Sequence, residues 1–210
     1  LITGITGLFS FGHAAFLSIG AYTSALMSIH LPTPFIVNLL AGGLMAALWG
    51  VILGFPSLRL TGDYLGITTL GFGEIVRVVF INMKITGGAS GLAGIPKETN
   101  IAMVYIIVAI TIFGLYRIQN SRFGRALMAI REDEIAAEAM GINPLFYKIK
   151  GFALGTFLAG ISGGLFAHMM QYLNPADFGF QRSFEILNYV VLGGLGSIPG
   201  AVLGTVVLTL

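Results

Sequence analysis

The chain has 210 residues, of which 56% are hydrophobic and 10% are charged, and its formal net charge is +2. Soluble domains carry about 25% charged residues, so this composition excludes an ordinary soluble enzyme, and the absence of cysteine excludes a disulfide framework. Four stretches contain no Asp, Glu, Lys or Arg: residues 1–58, 99–116, 151–176 and 186–210. A soluble core of this size cannot bury so much apolar chain, whereas membrane helices of about 20 residues satisfy their own backbone hydrogen bonds.

Six hydrophobic segments are predicted, at residues 3–29, 35–55, 63–82, 101–116, 151–171 and 186–210. Their lengths and their lack of period-two alternation favour helices over barrel strands. The first segment is rich in glycine, and we expect a break near Gly12. The predicted fold class is all-α, a polytopic transmembrane helix bundle that forms one domain over residues 1–210. Because the chain starts at Leu1 and both ends fall inside apolar sequence, we expect it to be truncated at both ends.

Two ionisable residues, Glu74 and Arg77, interrupt the third segment. A spacing of three places them on one helix face, where they can pair. Glu74 lies about 16 Å from a helix start near Asp63, close to the middle of a bilayer, where charges are costly and usually face a cavity or a partner. Two interpretations stay open: a polar feature beside a substrate path, and an ion pair that holds two helices together.

His13 is a third candidate for the substrate path, because it comes directly after the expected break at Gly12. A broken helix can offer backbone groups to a zwitterionic ligand inside the membrane. The alternative is a histidine bonded to a neighbouring carbonyl group. His30 and His168 lie near segment ends, where we expect the membrane–water interface. The three histidines show no metal-ligand spacing, and no triad order or carboxylate pair indicates catalysis, so we predict no metal site and no catalytic residue.

The basic residues predict the orientation of the chain. Residues 117–150 contain six of the 11 Lys and Arg residues, which places this region in the cytoplasm by the positive-inside rule. Alternation then places residues 83–100 and 172–185 outside. The glycine-rich loop at residues 86–96 lacks the lysine and the preceding strand of a phosphate-binding loop. We therefore expect it to pack as an external cap or to contact an external protein.

Glycines at four-residue intervals predict close contacts between helices, since they let backbones approach each other in lipid. The sequence contains two pairs and one run: Gly50 and Gly54, Gly160 and Gly164, and Gly196, Gly200 and Gly204. The chain has 30 glycines, so some of these spacings arise by chance. For the run, a helix contact and a chance spacing both stay open.

Residues 125–143 form the predicted cytoplasmic segment, a short helix that ends at a turn. Gly141 suits a helix C-cap, and Pro144 cannot continue the same helix. An amphipathic helix in this position either lies on the membrane surface or docks into a groove on a partner protein. Its mixture of acidic and basic residues favours the partner protein.

This segment resembles the coupling segment of ABC-importer permeases, whose signature is Glu-Ala-Ala, three residues and then Gly. With Gly141 as the glycine, the alanines are Ala136 and Ala137, but Ile135 takes the position of the glutamate and Glu134 comes one residue early. The match is closer to the permeases for branched-chain amino acid uptake, in particular the M-type subunit. The stretches that carry it span nearly the whole chain: SFGHAAFLSIGAYTSAL (10–26), RLTGDYLGITTLGFGEIVRVV (59–79), TGGASGLAGIP (86–96) and LNYVVLGGLGSIPGAVLGT (187–205).

The resemblance implies a transport subunit of the bacterial inner membrane that is not itself an enzyme. It would translocate branched-chain amino acids together with a second permease subunit, two cytoplasmic ATPase subunits and a periplasmic binding protein. This subunit would carry no cofactor and would contact lipid but no nucleic acid, while ATP would bind to the ATPases. The residues expected to contact the ATPases are Arg131, Glu132, Glu134, Ala136, Ala137, Glu138 and Gly141.

Three other functions stay open. The first is an ABC permease for urea, amides or another amino acid. The second is a secondary transporter or channel that works alone, with Glu74, Arg77 and His13 as an ion or proton relay. The third is a membrane scaffold without transport activity.

Overall fold

The computed structural model describes residues 1–60 and 62–209. These residues form helices and one short antiparallel ladder: α1 (His13–His30), α2 (Phe35–Ser57), α3 (Asp63–Asn82), β1 (Leu92–Ala93), α4 (Ile101–Gln119), α5 (Arg122–Glu132), α6 (Glu134–Ala139), α7 (Pro144–Met170), β2 (Tyr172–Leu173), α8 (Phe180–Leu192) and α9 (Ile198–Thr209). Helices α2, α3, α4 and α7 are long and apolar enough to cross a membrane. The prediction of an all-α, polytopic helix bundle is therefore confirmed, and the chain is a multi-pass membrane protein.

The centre of the bundle consists of α1, α2 and α7, which meet at Gly20, Gly42 and Gly160. A Cβ atom added to Gly42 would lie 2.7 Å from the Gly20 carbonyl oxygen, and one added to Gly160 would lie 2.7 Å from the Gly42 carbonyl oxygen. Apolar contacts gain little from hydrophobicity when lipid surrounds them, so close backbone packing supplies the attraction. No larger residue fits this crossing without moving a helix.

The glycine pairs predicted from spacing lie at these same contacts. Gly50 of α2 packs against Thr156 of α7, while Gly164 of α7 packs against Ser24 of α1. Gly54 has looser contacts, with its nearest neighbour on α7 at 3.5 Å from an added Cβ atom. The prediction that four-residue spacing marks helix contacts is confirmed for these pairs.

The first predicted segment is broken where the sequence indicated. Helix α1 begins at His13, and residues 1–12 run through turns instead of a helix. The Phe11 amide donates a hydrogen bond to Thr69 Oγ1 over 3.0 Å, and Gly12 packs against the Thr69 carbonyl group of α3. The Phe11 amide, which would donate to a carbonyl group of the same helix if the helix were continuous, therefore has its acceptor on α3.

The prediction of one continuous segment over residues 186–210 is wrong. The chain forms two antiparallel helices, α8 and α9, joined by a turn in which Gly194 and Gly196 have φ angles of 96° and 89°. Side chains disfavour such angles, so these glycines end the helix. Gly200 and Gly204 of α9 pack against Gly193, the C-cap of α8, and Gly204 also packs against Tyr189 of α8, a helix contact, whereas Gly196 lies in the turn. Residue 210 lies outside the described residues.

Residues 83–100 fold over one end of the bundle, called here the capped end. Short 3-10 turns at Lys84–Thr86 and Gly88–Ser90 lead into β1, which pairs with β2 just after α7. Leu92 and Leu173 face each other in this ladder and are both buried. The loop therefore packs as a cap, as predicted, and it is held by backbone pairing that its glycine-rich sequence did not suggest.

The opposite end of the bundle carries α5 and α6, so the prediction of a single helix over this segment is wrong. The chain extends at Asp133, whose carboxylate accepts a hydrogen bond from the Ala136 amide over 3.0 Å and caps α6. The predicted C-cap is confirmed: Gly141 has a φ angle of 83°, and its amide donates to the Glu138 carbonyl group over 2.9 Å. Helix α7 begins at Pro144, seven residues before the predicted segment.

Candidate functional site

Glu74 and Arg77 pair within α3. Arg77 Nε donates to Glu74 Oε2 over 2.8 Å, so the predicted pairing on one helix face is confirmed. The Glu74 side chain is 36% exposed and the Arg77 side chain is 33% exposed. Both residues belong to one helix, so the ion pair itself is intrahelical, and the two interpretations, a polar feature beside a substrate path and a pair that holds two helices together, stay predictions.

A cavity of about 810 Å³ lies beside this pair, between α1, α3, α7, α8 and residues 176–179. A second ion pair lines it, with Arg182 Nη1 2.7 Å from Glu185 Oε2, again three residues apart on one helix. Neither member of this second pair was predicted from sequence. The spacing of Arg182 and Glu185 repeats that of Glu74 and Arg77, and this repetition was the signal available.

The rest of the cavity wall combines aromatic and polar groups. Four phenyl rings contribute to it: Phe166, Phe178, Phe180 and Phe184. The Arg182 guanidinium lies 5.9 Å from the centre of the Phe166 ring, and Asp177 adds a third carboxylate. The site therefore offers both signs of charge beside an apolar surface.

His13 does not line this cavity. Helix α8 covers the start of α1, where Ser183 Oγ accepts a hydrogen bond from the Ala14 amide over 3.2 Å and the Phe184 ring stacks on Phe11. His13 Nδ1 is buried and has no hydrogen-bond partner among the described residues. The structure thus places His13 near the site, behind α8, and separate from Glu74 and Arg77.

His168 lies two residues before the end of α7 and is fully buried, while its predicted position at the membrane–water interface stays a prediction. Its Nδ1 lies 3.0 Å from the Pro96 carbonyl oxygen and its Nε2 lies 3.2 Å from Ser24 Oγ. A carbonyl group can only accept, so in a neutral ring Nδ1 donates to Pro96 and Nε2 accepts from Ser24. His168 thereby joins the cap, α1 and α7.

A sequence signal for His168 existed. It continues the four-residue spacing of Gly160 and Gly164, and residues at this spacing share one face of a helix. The two glycines were predicted to contact another helix. The same reasoning extends that face to His168 and places it against α1.

The predicted coupling residues divide into two groups. Three contact this chain: Arg131 Nη1 donates to the Gly4 carbonyl group over 2.8 Å, Glu134 Oε2 lies 2.5 Å from Lys148 Nζ, and Ala137 is buried. Arg131 also pairs with Glu132 at 2.5 Å. Ala137 therefore packs inward, where it supports α6 but offers no surface to another protein.

The other predicted residues, Ala136, Glu138 and Gly141, are exposed. Next to them, Ile135 is 81% exposed and Met140 is 83% exposed. These two side chains were not among the predicted coupling residues. They form the apolar part of a surface at the end of the bundle opposite the cap, called here the α6 surface (Ile135, Ala136, Glu138, Met140 and Gly141).

No cluster of three or more His, Asp or Glu residues in the part of the chain that the structure describes could hold a metal ion. The glycine-rich loop at residues 86–96 lies within the cap. It is therefore at the far end of the bundle from the α6 surface.

Comparison with known proteins identifies one family. Residues 1–210 match the family described as the permease component of branched-chain amino acid transport systems. The high-affinity branched-chain amino acid transport system permease protein LivM of Escherichia coli K12 is 37% identical over 99% of this chain, and the probable LivM of Methanocaldococcus jannaschii is 30% identical over 80%. The corresponding permease protein LivH of Escherichia coli K12 is 28% identical over 99% of the chain and 76% of its own length. The chain spans 57% and 52% of the two LivM proteins. No solved structure matches the chain significantly.

Proposed function

The chain belongs to the family of permease components of branched-chain amino acid transport systems, and we propose that it is a permease subunit of an ATP-driven importer for these amino acids. In this proposal it lies in the bacterial inner membrane beside a second permease subunit. Two cytoplasmic ATPase subunits bind the ATP, a periplasmic binding protein delivers the substrate, and this chain contacts lipid but no nucleic acid. The chain itself carries no cofactor and catalyses no reaction.

The α6 surface is the observation that carries the proposal. Ile135 and Met140 expose apolar side chains on a charged segment that the positive-inside rule places in the cytoplasm. Exposed apolar side chains on a short helix are typical of docking into a groove on a partner. The neighbouring Glu138 and Glu132 add charges that would orient such a partner.

The contacts of this segment support a role in transmitting movement. The Glu134–Lys148 pair joins α6 to α7, and Arg131 joins α5 to the turns at residues 1–12. A Cβ atom added to Gly196 would lie 3.3 Å from Arg131 Nη1, so the α8–α9 turn is also close. If the ATPases close and displace α5 and α6, the movement would therefore reach the turns at residues 1–12 and the α8–α9 turn. Movement at these two turns would shift the bundle between two states.

The charged cavity supports a substrate path on the α3–α8 face. Glu74, Arg77, Arg182 and Glu185 are all partly exposed there. Glu74 and Arg77 belong to a helix that is long and apolar enough to cross a membrane, where charged groups seldom face lipid and usually face a water-filled cavity or a partner. We place the substrate path along this face, with Glu74 and Arg77 in its wall and His13 behind α8.

The docking role is tested by co-expressing the chain with the other subunits of its transport system. We expect Ile135→Glu and Met140→Glu to abolish co-purification of the ATPases and substrate-dependent ATP hydrolysis, since each buries a charge in an apolar contact. Ala129→Glu places the same charge on an exposed position of α5 and serves as the control. Normal ATPase association of both α6 variants would contradict the proposal.

A transport assay with the chain alone separates the remaining functions. Uptake by this chain in liposomes without ATP would indicate a secondary transporter. A complete complex that never transports any solute would indicate a scaffold. The names of the relatives favour branched-chain amino acids over urea or amides as substrates of the complex.

A further inference from the structure

The cavity on the α3–α8 face contains two ion pairs with the same polarity. Helix α3 starts beside Phe11 and Gly12 and reaches the cap, where Phe80 stacks on Tyr22 at 4.4 Å. Helix α8 begins just after Phe178, which lies beside Tyr22, and descends to Phe184, which stacks on Phe11. The two helices therefore run antiparallel.

This antiparallel arrangement sets the order of the charges. On α3, which runs toward the cap, Arg77 comes after Glu74. On α8, which runs away from the cap, Arg182 precedes Glu185. Within each pair, the backbone of the arginine is therefore nearer to the capped end of the bundle than the backbone of the glutamate. Because helical side chains tilt toward the N-terminus of their helix, Glu74 and Arg77 lean away from the cap, whereas Arg182 and Glu185 lean toward it.

The contacts of the guanidinium groups agree with this order. Arg77 packs near Gly179, just before α8, and the Arg182 guanidinium lies over Phe166. The Phe166 ring in turn packs edge-on against Phe178 at 6.0 Å. Arg77 therefore lies close to the start of α8, and the Arg182 guanidinium shares the Phe166 ring as a neighbour with Phe178.

We propose, building on the permease function above, that this cavity binds a free amino acid as a zwitterion, with its carboxylate between Arg77 and Arg182 and its ammonium between Glu74 and Glu185. The ligand would replace the partner of each charged residue, so that two internal ion pairs open and four charge-assisted contacts form. Its apolar side chain would lie against the phenyl rings of the wall. The cavity volume of about 810 Å³ is within the range of about 300–1,000 Å³ that is usual for small-molecule sites.

The two ion pairs can exchange their partners for a ligand with little rearrangement of the helices. Both pairs join residues of a single helix, so their opening does not separate any helices. All four side chains are about one third to one half exposed and line the cavity, so a ligand there can reach them without moving a helix. An uncharged solute such as urea offers nothing that could replace either member of a pair, which makes the site selective for a molecule with both charges.

The test uses the complete purified transporter, without the external binding protein, and measures the thermal stabilisation and ATP hydrolysis produced by L-leucine. We expect leucinamide, which lacks the carboxylate, and 4-methylvalerate, which lacks the ammonium group, each to bind roughly tenfold more weakly or worse, as the loss of one charged contact implies. Equal binding of the uncharged 4-methylvaleramide and leucine would overturn the proposal.

A charge exchange distinguishes a binding role from a structural one. The double variant Glu74→Arg with Arg77→Glu keeps an ion pair at the same spacing but reverses its polarity, and we expect it to weaken leucine binding by roughly tenfold or more. Lys84→Glu, a charge reversal on the cap outside the cavity, is the control. Unchanged leucine binding by the double variant would overturn the proposal.

Two further outcomes remain decisive. If the double variant does not assemble, Arg182→Gln and Glu185→Gln measured in the same way replace it, and unchanged binding in both overturns the proposal. If the unmodified complex shows no ATP-driven transport of any amino acid, the permease function fails. A complex that transports leucine but ignores the charge exchange contradicts only the zwitterion site.

Discussion

The two sides of this bundle use polar and small residues in opposite ways. On the α1–α2–α7 side, glycines bring backbones into contact, and polar groups such as His168 and Lys148 bond to a different element. On the α3–α8 side, the charged residues pair within their own helix and surround a cavity. Ion pairs and hydrogen bonds of charged groups between elements tie those elements together, whereas ion pairs within one helix place no restraint on its neighbours. The difference identifies a fixed centre and a face suited to a changing ligand.

The glycine crossing gives the strongest test of the fixed centre. Gly20→Ala introduces a Cβ atom into contact with the Gly160 backbone, and we expect the free energy of unfolding to fall by about 1–3 kcal/mol or more. Gly114→Ala adds the same methyl group where α4 leaves open space, so it should be neutral or slightly stabilising. Thermal unfolding in detergent measures both. Equal stability of the two variants would show that the centre tolerates separation.

The Glu134–Lys148 pair provides an asymmetric test. The Lys148 side chain is 9% exposed and that of Glu134 is 44% exposed, so the loss of each partner leaves a different group behind. Glu134→Gln leaves a buried ammonium without its carboxylate and should cost about 1–3 kcal/mol. Lys148→Met leaves an accessible carboxylate that water can solvate and should cost less. The reverse order in thermal unfolding would mean that the pair is not held as described.

His168 tests the junction between the cap and the centre. In His168→Leu, the Ser24 hydroxyl and the Pro96 carbonyl group lose their partner, at an expected cost of about 1–3 kcal/mol. Ser24→Ala removes only one of these bonds and should cost about 0.5–1.5 kcal/mol. Limited proteolysis should detect earlier cleavage between residues 83 and 100 in His168→Leu. An unchanged cleavage rate would show that β1 and β2 hold the cap without the histidine.

The smallest effect on folding is expected on the cavity face. A partly exposed ion pair within one helix contributes about 0–1 kcal/mol, so the combined variant Glu74→Gln with Arg77→Gln should unfold within about 1 kcal/mol of the unmodified protein. Hydrogen exchange of α3 and α8 should likewise change little. A large loss of stability would place this pair in the fixed centre and remove the contrast between the two sides.

The sequence alone indicated that the first segment contains a break, but it did not indicate the chain reversal in the last. Gly12 interrupts the first segment as predicted because α3 supplies the Thr69 hydroxyl to the freed Phe11 amide. The run of Gly196, Gly200 and Gly204 was also recognised, but spacing could not show that Gly196 takes a positive φ angle and reverses the chain. The spacing of glycines describes one face of a single helix, whereas a chain reversal depends on a contact between two helices.

The sequence by itself determined that the chain is a helical membrane protein, because long uncharged stretches can satisfy their backbones in lipid only as helices. It also determined the Glu74–Arg77 pair and the C-cap at Gly141, since both depend on neighbours within five residues. Tertiary structure decided the second ion pair beside the first, the burial of His168 and the inward position of Ala137. These features join residues far apart in the chain, and only the packing of the helices brings them together.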